Sequence, residues 1–177
     1  MCSQGRGRTP ERTQSTFARV NNPIYVAVVG AGDADEELGR LAEEVGRRLG
    51  EAGAVVVCGG LGGVMEAACR GAKSADGTTV GILPGANRRG SNSYLDVSIP
   101  TGMGETRNAL IVRAADVVIA VGGEFGTLSE IAFALKVGTP VVGIRAWELA
   151  KEGESVEAYE RAATAEEAVR KALSLAD

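Results

Sequence analysis

Short apolar runs alternate with longer amphipathic segments along most of the chain. The organising stretch is residues 114–135, in which the unbroken apolar run Val117–Val121 leads into a glycine loop and a helical pattern. An apolar run without alternation, rich in β-branched residues, is typical of a strand that is covered on both faces of a parallel sheet. Thr127 can cap the following helix. The loop glycines, which let the backbone turn sharply and come close to a ligand, are Gly122, Gly123 and Gly126.

The same order of strand, loop and helix repeats before and after this stretch. It predicts an α/β fold in which a mostly parallel sheet carries helices on both faces. The predicted strands are residues 24–30, 54–58, 79–83, 97–100, 117–121 and 140–144. The first predicted helix begins after Asp33 or Asp35, either of which can cap it, and runs to about residue 52. The other predicted helices cover about residues 64–75, 105–114, 127–137 and 164–176, whereas residues 147–155 fit a short helix and a loop.

Two of these helices carry particular signals. In the first, apolar residues recur at helical spacing, and they therefore predict one buried face. The last helix opens with the capping box Thr164–Glu167, in which the side chains of the first and fourth residues bond to backbone N–H groups. The residues of the predicted buried face are Leu38, Leu41, Ala42, Val45 and Leu49.

The ends of the chain differ in character from its middle. Residues 1–22 are polar, carry four arginines and lack periodicity, so they predict a flexible N-terminal tail; a basic phosphate-binding arm is the alternative interpretation. Residues 23–177 predict a single domain, because a chain of 177 residues has the usual length of one domain. A chain of this length also buries enough surface to fold without disulfides or metals.

Composition excludes several classes of function. The net charge of −4 argues against a nucleic-acid partner held by bulk electrostatics. The sequence has no apolar run near the ~20 residues of a membrane span and no signal-peptide pattern, so we expect a cytoplasmic protein without a membrane partner. The three cysteines are few and far apart, which favours a reducing compartment and no metal site. With no histidine, chemistry must use carboxylates, arginines, hydroxyls or water.

Glycine-rich loops follow three of the predicted strands, at the carboxyl edge where open parallel sheets bind ligands. None is a Walker A loop, since no lysine follows the glycines, and none completes the dinucleotide pattern G-x-G-x-x-G. Helix starts next to such loops favour phosphate, because their free N–H groups and dipole attract anions. The residues predicted to contact a ligand phosphate are Gly30, Gly32, Gly60, Gly62, Gly63, Met65, Gly123, Gly126 and Thr127.

Two of these segments resemble a known group of proteins. They are similar to the two motifs of the LOG-type superfamily, and most similar to its molybdenum cofactor carrier branch. The first is Gly59-Gly-Leu-Gly-Gly-Val-Met-Glu-Ala67, and the second is Arg107-Asn108 together with Gly122-Gly-Glu-Phe-Gly-Thr-Leu-Ser-Glu130. The resemblance covers about residues 24–145. It implies a three-layer Rossmann-like fold, a phosphorylated nucleotide-like ligand, and a homodimer or larger assembly, for which helix 109–114 offers an apolar face.

The resemblance also implies a catalytic pair. In LOG enzymes an arginine and a glutamate cleave the N-glycosidic bond of nucleoside 5′-monophosphates, and these positions match Arg107 and Glu130. A carboxylate suits the oxocarbenium-like transition state of this reaction, and arginine can hold phosphate. The alternatives are structural: Arg107 as a surface helix residue, and Glu130 as the last member of a capping box that begins at Thr127. Asn108 and Glu124 stand where the family has lysine and glycine, and these differences favour the carrier branch.

Three functions remain open from the sequence. The first is a binding protein for a phosphorylated nucleotide-like ligand, with a nucleoside monophosphate or the molybdenum cofactor as the ligand and no further cofactor required. The second is a phosphoribohydrolase that uses Arg107 and Glu130. The third is a sensor without turnover. Lysine decarboxylation is disfavoured, because Lys73 and Lys136 are predicted on helices away from the glycine loops.

Overall fold

The computed structural model describes residues 22–176. Its main sheet contains seven parallel strands in the order β4-β3-β2-β1-β5-β6-β9. The predicted tail, except Asn22, lies outside the described residues and stays a prediction. The strands are β1 (Tyr25–Gly30), β2 (Val55–Cys58), β3 (Thr78–Leu83), β4 (Val97–Pro100), β5 (Val117–Val121), β6 (Val141–Ile144), β7 (Leu149–Lys151), β8 (Glu154–Val156) and β9 (Glu160–Ala162).

Five α-helices cover the two faces of this sheet, as the three-layer prediction requires. The helices are α1 (Glu36–Glu51), α2 (Val64–Ser74), α3 (Asn108–Arg113), α4 (Phe125–Val137) and α5 (Ala165–Ala176), and a 3-10 helix at Gly104–Arg107 precedes α3. Buried residues of α1, α2 and α5 form one core with the sheet, and those of α3 and α4 form the other. The Rossmann-like α/β fold is therefore confirmed.

The helix signals are confirmed in detail at two ends. Asp35 caps α1, since its carboxylate accepts a hydrogen bond from the N–H of Leu38 at 2.7 Å. In the predicted capping box, the N–H of Glu167 donates to the Thr164 hydroxyl at 3.2 Å, and the Glu167 carboxylate accepts from the N–H of Ala163. The predicted face of α1 is also buried: three of its five residues are fully buried and two are partly buried.

The prediction for residues 147–155 was wrong. Residues 149–156 form the antiparallel hairpin β7–β8 instead of a helix, and its turn places Glu152 and Gly153 at positive φ. The sequence pattern also missed β9, a three-residue edge strand that pairs with β6. Both are short and mostly exposed, so they lack the apolar periodicity on which strand prediction depends.

Helices α1 and α2 touch through their backbones. A Cβ built on Gly46 of α1 would lie 1.9 Å from the carbonyl oxygen of Ala68, and one built on Gly71 of α2 would lie 1.9 Å from that of Glu43. Such distances leave no room for any side chain at either position. This contact sets the separation of the two helices that follow β1 and β2, and it fixes how their N-termini approach each other.

Two cysteines that are distant in sequence meet in this layer. The Sγ atoms of Cys58, at the end of β2, and Cys69, on α2, lie 3.5 Å apart, and both thiols are free and buried. Their separation in the sequence had indicated isolated side chains. Either thiol can donate in this contact, and the hydrogen bond between them lowers the pKa of Cys58 and raises that of Cys69.

The strand order places a reversal between β1 and β5. The chain runs outward from β1 through β2 and β3 to β4, and then returns to the other side of β1 with β5. Ligands of open α/β sheets bind in the crevice beyond the carboxyl ends of the strands at such a reversal. No helix in the described part of the chain is both long enough and apolar enough to cross a membrane.

Candidate functional site

A cavity of about 210 Å³ lies beyond the carboxyl ends of β1, β2 and β5, at the reversal of strand order. Its walls come from the three loops that follow these strands and from the segment that leads into α3. Seven of the eleven residues predicted for the site line this cavity: Gly30, Gly32, Met65, Arg107, Gly126, Thr127 and Glu130. The structure therefore brings the two predicted catalytic residues and part of the predicted phosphate loops together.

Arg107 is the buried cation of the cavity. Its exposed fraction is 4%, which excludes the alternative of a surface helix residue. Its guanidinium donates to the carbonyl oxygen of Gly59 at 3.3 Å and to the amide oxygen of Asn108, whereas Nε is buried without a hydrogen-bond partner. A buried donor without an acceptor is unfavourable, and no group among residues 22–176 accepts a hydrogen bond from this nitrogen.

Gly59 makes room for this guanidinium. A Cβ at Gly59 would lie 2.5 Å from one terminal nitrogen of Arg107 and 2.7 Å from the sulfur of Met65. The first glycine of the second loop is thus required for the position of the arginine. The loop itself is tied to residue 92 of the long segment after β3: the N–H of Asn92 donates to the carbonyl of Gly60, and its side-chain amide donates to that of Leu61.

Glu130 is the buried carboxylate of the cavity, with an exposed fraction of 6%. The capping-box alternative for this residue is wrong, because α4 begins at Phe125 and its N-cap is Glu124. Thr127 is consequently the third residue of the helix and not its cap, and no capping bond from the side chain of Glu124 forms. The sequence placed the helix start too late, since glycine at position 126 is unusual inside a helix.

Burial changes the acidity of this carboxyl. It raises the pKa of Glu130 from 4.5 to about 7, because a buried charge loses its hydration. The positive charge of Arg107 opposes the shift, and the negative charge of Glu105 adds to it. Among the ion pairs of residues 22–176 within 4 Å, none joins Arg107 to Glu130. The two groups face the same space without neutralising each other.

The start of α4 supplies hydrogen-bond donors. The first intrahelical bond of α4 runs from the N–H of Leu128 to the carbonyl of Glu124, so the N–H groups of Gly126 and Thr127 have no acceptor within the helix. Both residues line the cavity. Together with the positive end of the helix dipole, these donors favour an anion.

Gly126 has no role in the fold that requires glycine. It lacks a positive φ, and a Cβ built on it would meet nothing within 4 Å. Gly32, which also lines the cavity, is open in the same way. Glycine in a helix is less stable than alanine by up to about 1 kcal/mol. The close approach of a ligand to the backbone would explain both residues.

The remaining predicted glycines lie outside the cavity walls: Gly60, Gly62, Gly63 and Gly123. Three of them have structural reasons to be glycine, because Gly60, Gly63 and Gly123 adopt positive φ of 73°, 63° and 113°. At Gly63 a Cβ would also lie 2.4 Å from the carbonyl oxygen of Ala31, so here the second loop packs directly on the first. Contact between these four residues and a ligand stays a prediction.

Several wall residues were not predicted to bind a ligand. They are chiefly Glu105, Asn108 and Glu124, together with Leu61. In the sequence, Asn108 and Glu124 stand out only as departures from the family motif. Glu105 lies two residues before Arg107 on the same 3-10 helix, so its proximity to that arginine was the available signal.

A larger hollow, of about 670 Å³, lies at the opposite end of the sheet, between the start of β6 and β9. It lacks a buried charged side chain, and it lies far from the loops that follow the strands. Within residues 22–176, no group of three or more histidine, cysteine or acidic side chains is placed to hold a metal ion.

The prediction of self-association rests on the helix before β5. Ile111 and Val112 of α3 are buried in the core of this chain, whereas Leu110 is 39% exposed. Leu110 and Ala114 are therefore the exposed residues of the predicted apolar face that are available to a second copy, and self-association stays a prediction.

The fold and this cavity define a Rossmann-like protein whose strand-end loops enclose a buried arginine and a buried glutamate. The sequence profile of the SLOG cluster4 family matches residues 23–173. The chain belongs to this family. The resemblance to LOG-type proteins that the two motifs suggested is thereby confirmed.

The chain is also similar to one further protein by sequence and to solved structures by fold. An uncharacterized protein of Archaeoglobus fulgidus is 48% identical over 122 residues, which cover 69% of this chain and 80% of the relative. The structure of the molybdenum cofactor binding protein of Rippkaea orientalis is similar, with a TM-score of 0.80 and 33% identity over 89% of this chain and 99% of that one. The molybdenum cofactor carrier protein of Chlamydomonas reinhardtii has a TM-score of 0.73 and 30% identity over 86% and 98%.

Proposed function

We propose that this protein binds a phosphorylated nucleotide-like ligand in the cavity beyond β1, β2 and β5, and that the ligand is the molybdenum cofactor. The single observation that carries the proposal is the buried guanidinium of Arg107, which forms no ion pair within residues 22–176 and lines a cavity bounded by a helix N-terminus. An anion in this cavity would pair with the charge of Arg107 and would also meet the free N–H groups of α4.

The open glycines support the same ligand. Gly32 and Gly126 both line the cavity, and each has room for a side chain, so their lack of one keeps the backbone accessible. Backbone N–H groups bind phosphate best when no Cβ holds the phosphate away from them. The similarity to the molybdenum cofactor binding protein of Rippkaea orientalis and to the carrier protein of Chlamydomonas reinhardtii supports the molybdenum cofactor in particular, whose pterin carries a phosphate.

The test is recovery of the cofactor with the protein. The chain is purified from cells that make the molybdenum cofactor, and bound pterin is measured as its fluorescent oxidised derivative alongside bound molybdenum. We expect pterin with the parent and much less with Gly126→Ala. Gly39→Ala is the matched control, since Gly39 is also an open helical glycine but lies on α1 away from the cavity walls. Equal pterin in the parent and Gly126→Ala, or none in either, would overturn the proposal.

A second function is favoured by one specific observation. Burial raises the pKa of Glu130 to about 7, so this carboxyl can take up or release a proton near neutral pH, which suits a group that exchanges protons or, when ionised, stabilises developing positive charge. A phosphoribohydrolase would place the sugar of a nucleoside 5′-monophosphate next to this carboxyl and its phosphate against Arg107. Glu124 does not separate the two functions, because a further carboxylate on the cavity wall repels the phosphate of either ligand unless a ligand donor meets it.

The two functions separate in one assay. The parent and Glu130→Gln are incubated with a panel of nucleoside 5′-monophosphates, and free base and ribose 5-phosphate are measured. A carrier releases neither. Release by the parent that is lost in Glu130→Gln, with unchanged ligand-induced melting, would establish the hydrolase and displace the carrier.

A further inference from the structure

An aromatic side chain is exposed to water between two residues that line the cavity. Phe125 is 79% exposed, whereas the other exposed large apolar side chains of the described residues are 39–47% exposed. It lies between Glu124 and Gly126, which both line the cavity. Exposure of a whole phenyl ring is unfavourable, so a ring held at this position is available for contact with another molecule.

A second aromatic ring fixes the orientation of the first. The ring centroids of Phe125 and Trp147 are 5.5 Å apart with an interplanar angle of 39°, within the range of favourable aromatic pairs. The indole N–H of Trp147 donates to the carbonyl oxygen of Glu124 at 3.2 Å, and the hydroxyl of Tyr159 donates to the carbonyl oxygen of Trp147. The tryptophan is thus attached both to the start of α4 and to the segment before β9.

The turn after β6 directs Trp147 to this position. Arg145, the first residue of the turn, adopts a φ of 53°, which is uncommon for a residue other than glycine. Its guanidinium pairs with Glu37 of α1 at 2.8 Å. The turn therefore joins the helix after β1 to the aromatic pair, and the pair is part of the same sheet edge as the glycine loops.

We propose that Phe125, supported by Trp147, is the platform on which the planar ring of the ligand stacks. The inference rests on the proposed function, because it takes the phosphate of the same ligand to lie in the cavity next to Gly126. It names the class of ligand more closely: a phosphorylated molecule with a flat heterocycle, such as a purine or a pterin, and not a simple sugar phosphate. Stacking on an aromatic face tolerates any such ring, since each has a π-face.

The test uses Trp147, the single tryptophan of the chain, as a reporter. Guanosine 5′-monophosphate and ribose 5-phosphate are titrated into the parent, Phe125→Ala and Phe125→Leu, and both tryptophan fluorescence and melting temperature are followed. We expect both compounds to raise the melting temperature of the parent, but only the nucleotide to change its fluorescence. Phe125→Ala should weaken nucleotide binding about ten-fold and leave ribose 5-phosphate binding unchanged. Phe125→Leu, which keeps apolar bulk without a π-face, should resemble Phe125→Ala.

Each other outcome counts against the platform. If the two compounds bind the parent with equal affinity, and Phe125→Ala changes neither, the platform is refuted while the phosphate site stands. If neither compound binds the parent, the proposed function fails and the platform fails with it. If Phe125→Ala lowers the molecular mass in light scattering and leaves nucleotide affinity unchanged, a second copy covers the ring and the platform is again refuted.

Discussion

The pH dependence of stability offers a sharp test of the environment of Glu130. Burial raises its pKa from 4.5 to about 7, so the folded protein holds this proton more tightly than the unfolded chain does. The contribution of this proton to the stability of the folded protein is therefore fully present below pH 4.5 and is lost as the pH rises through 7. Above both values the buried charge destabilises the folded state by about 3 kcal/mol. Glutamine at this position cannot ionise, so Glu130→Gln should escape the loss.

The assay is urea unfolding of the parent and of Glu130→Gln at pH 5, 6, 7 and 8. The free energy of unfolding of the variant, relative to that of the parent, should increase by about 2.5 kcal/mol between pH 5 and pH 8. Glu124→Gln is the control, because Glu124 lines the same cavity but is exposed, and its difference from the parent should stay constant. A difference for Glu130→Gln that does not vary with pH would refute the reasoning.

The remaining predictions concern packing, capping and charge. Gly46→Ala should destabilise the protein by about 3 kcal/mol or prevent folding, since its methyl group would overlap the carbonyl of residue 68. Gly39→Ala on the same helix should instead stabilise the protein by about 0.5–1 kcal/mol. Thermal unfolding of both variants measures the two effects. Asp35→Ala should cost about 1 kcal/mol by the same measurement, because it removes the cap of α1. Glu124→Gln should tighten nucleoside monophosphate binding about three-fold at low salt and less at high salt, as followed by calorimetry.

Much of the fold could be predicted because the strands are buried on both faces. β5 is fully buried and reads as an unbroken apolar run, and its predicted bounds are those observed. The hairpin β7–β8 and the edge strand β9 could not be predicted in this way. Their residues are largely exposed, and the backbone pairing that defines them leaves no apolar pattern in the sequence.

The site was predictable in part for a different reason. Arg107 and Glu130 are charged residues at fixed positions relative to two glycine loops, and the fold brings both loops to the same sheet edge. What the sequence could not reveal was the start of α4 at Phe125, which removed the capping role of Thr127 and left Phe125 exposed. Nor could it separate glycines required by the turn, such as Gly63, from those that are open to a ligand, such as Gly126.

The central claim is that the cavity recognises a phosphate. The most direct measurement compares the melting temperature of the chain with saturating guanosine 5′-monophosphate and with guanosine at the same concentration. At about 100 times the dissociation constant, a ligand stabilises the folded state by about 2.7 kcal/mol, which for a chain of this size raises the melting temperature by roughly 5–10 °C. With a phosphate site in the cavity, we expect this increase in melting temperature for the nucleotide and almost none for the nucleoside. Equal increases for the two compounds, or no increase for either, would contradict it.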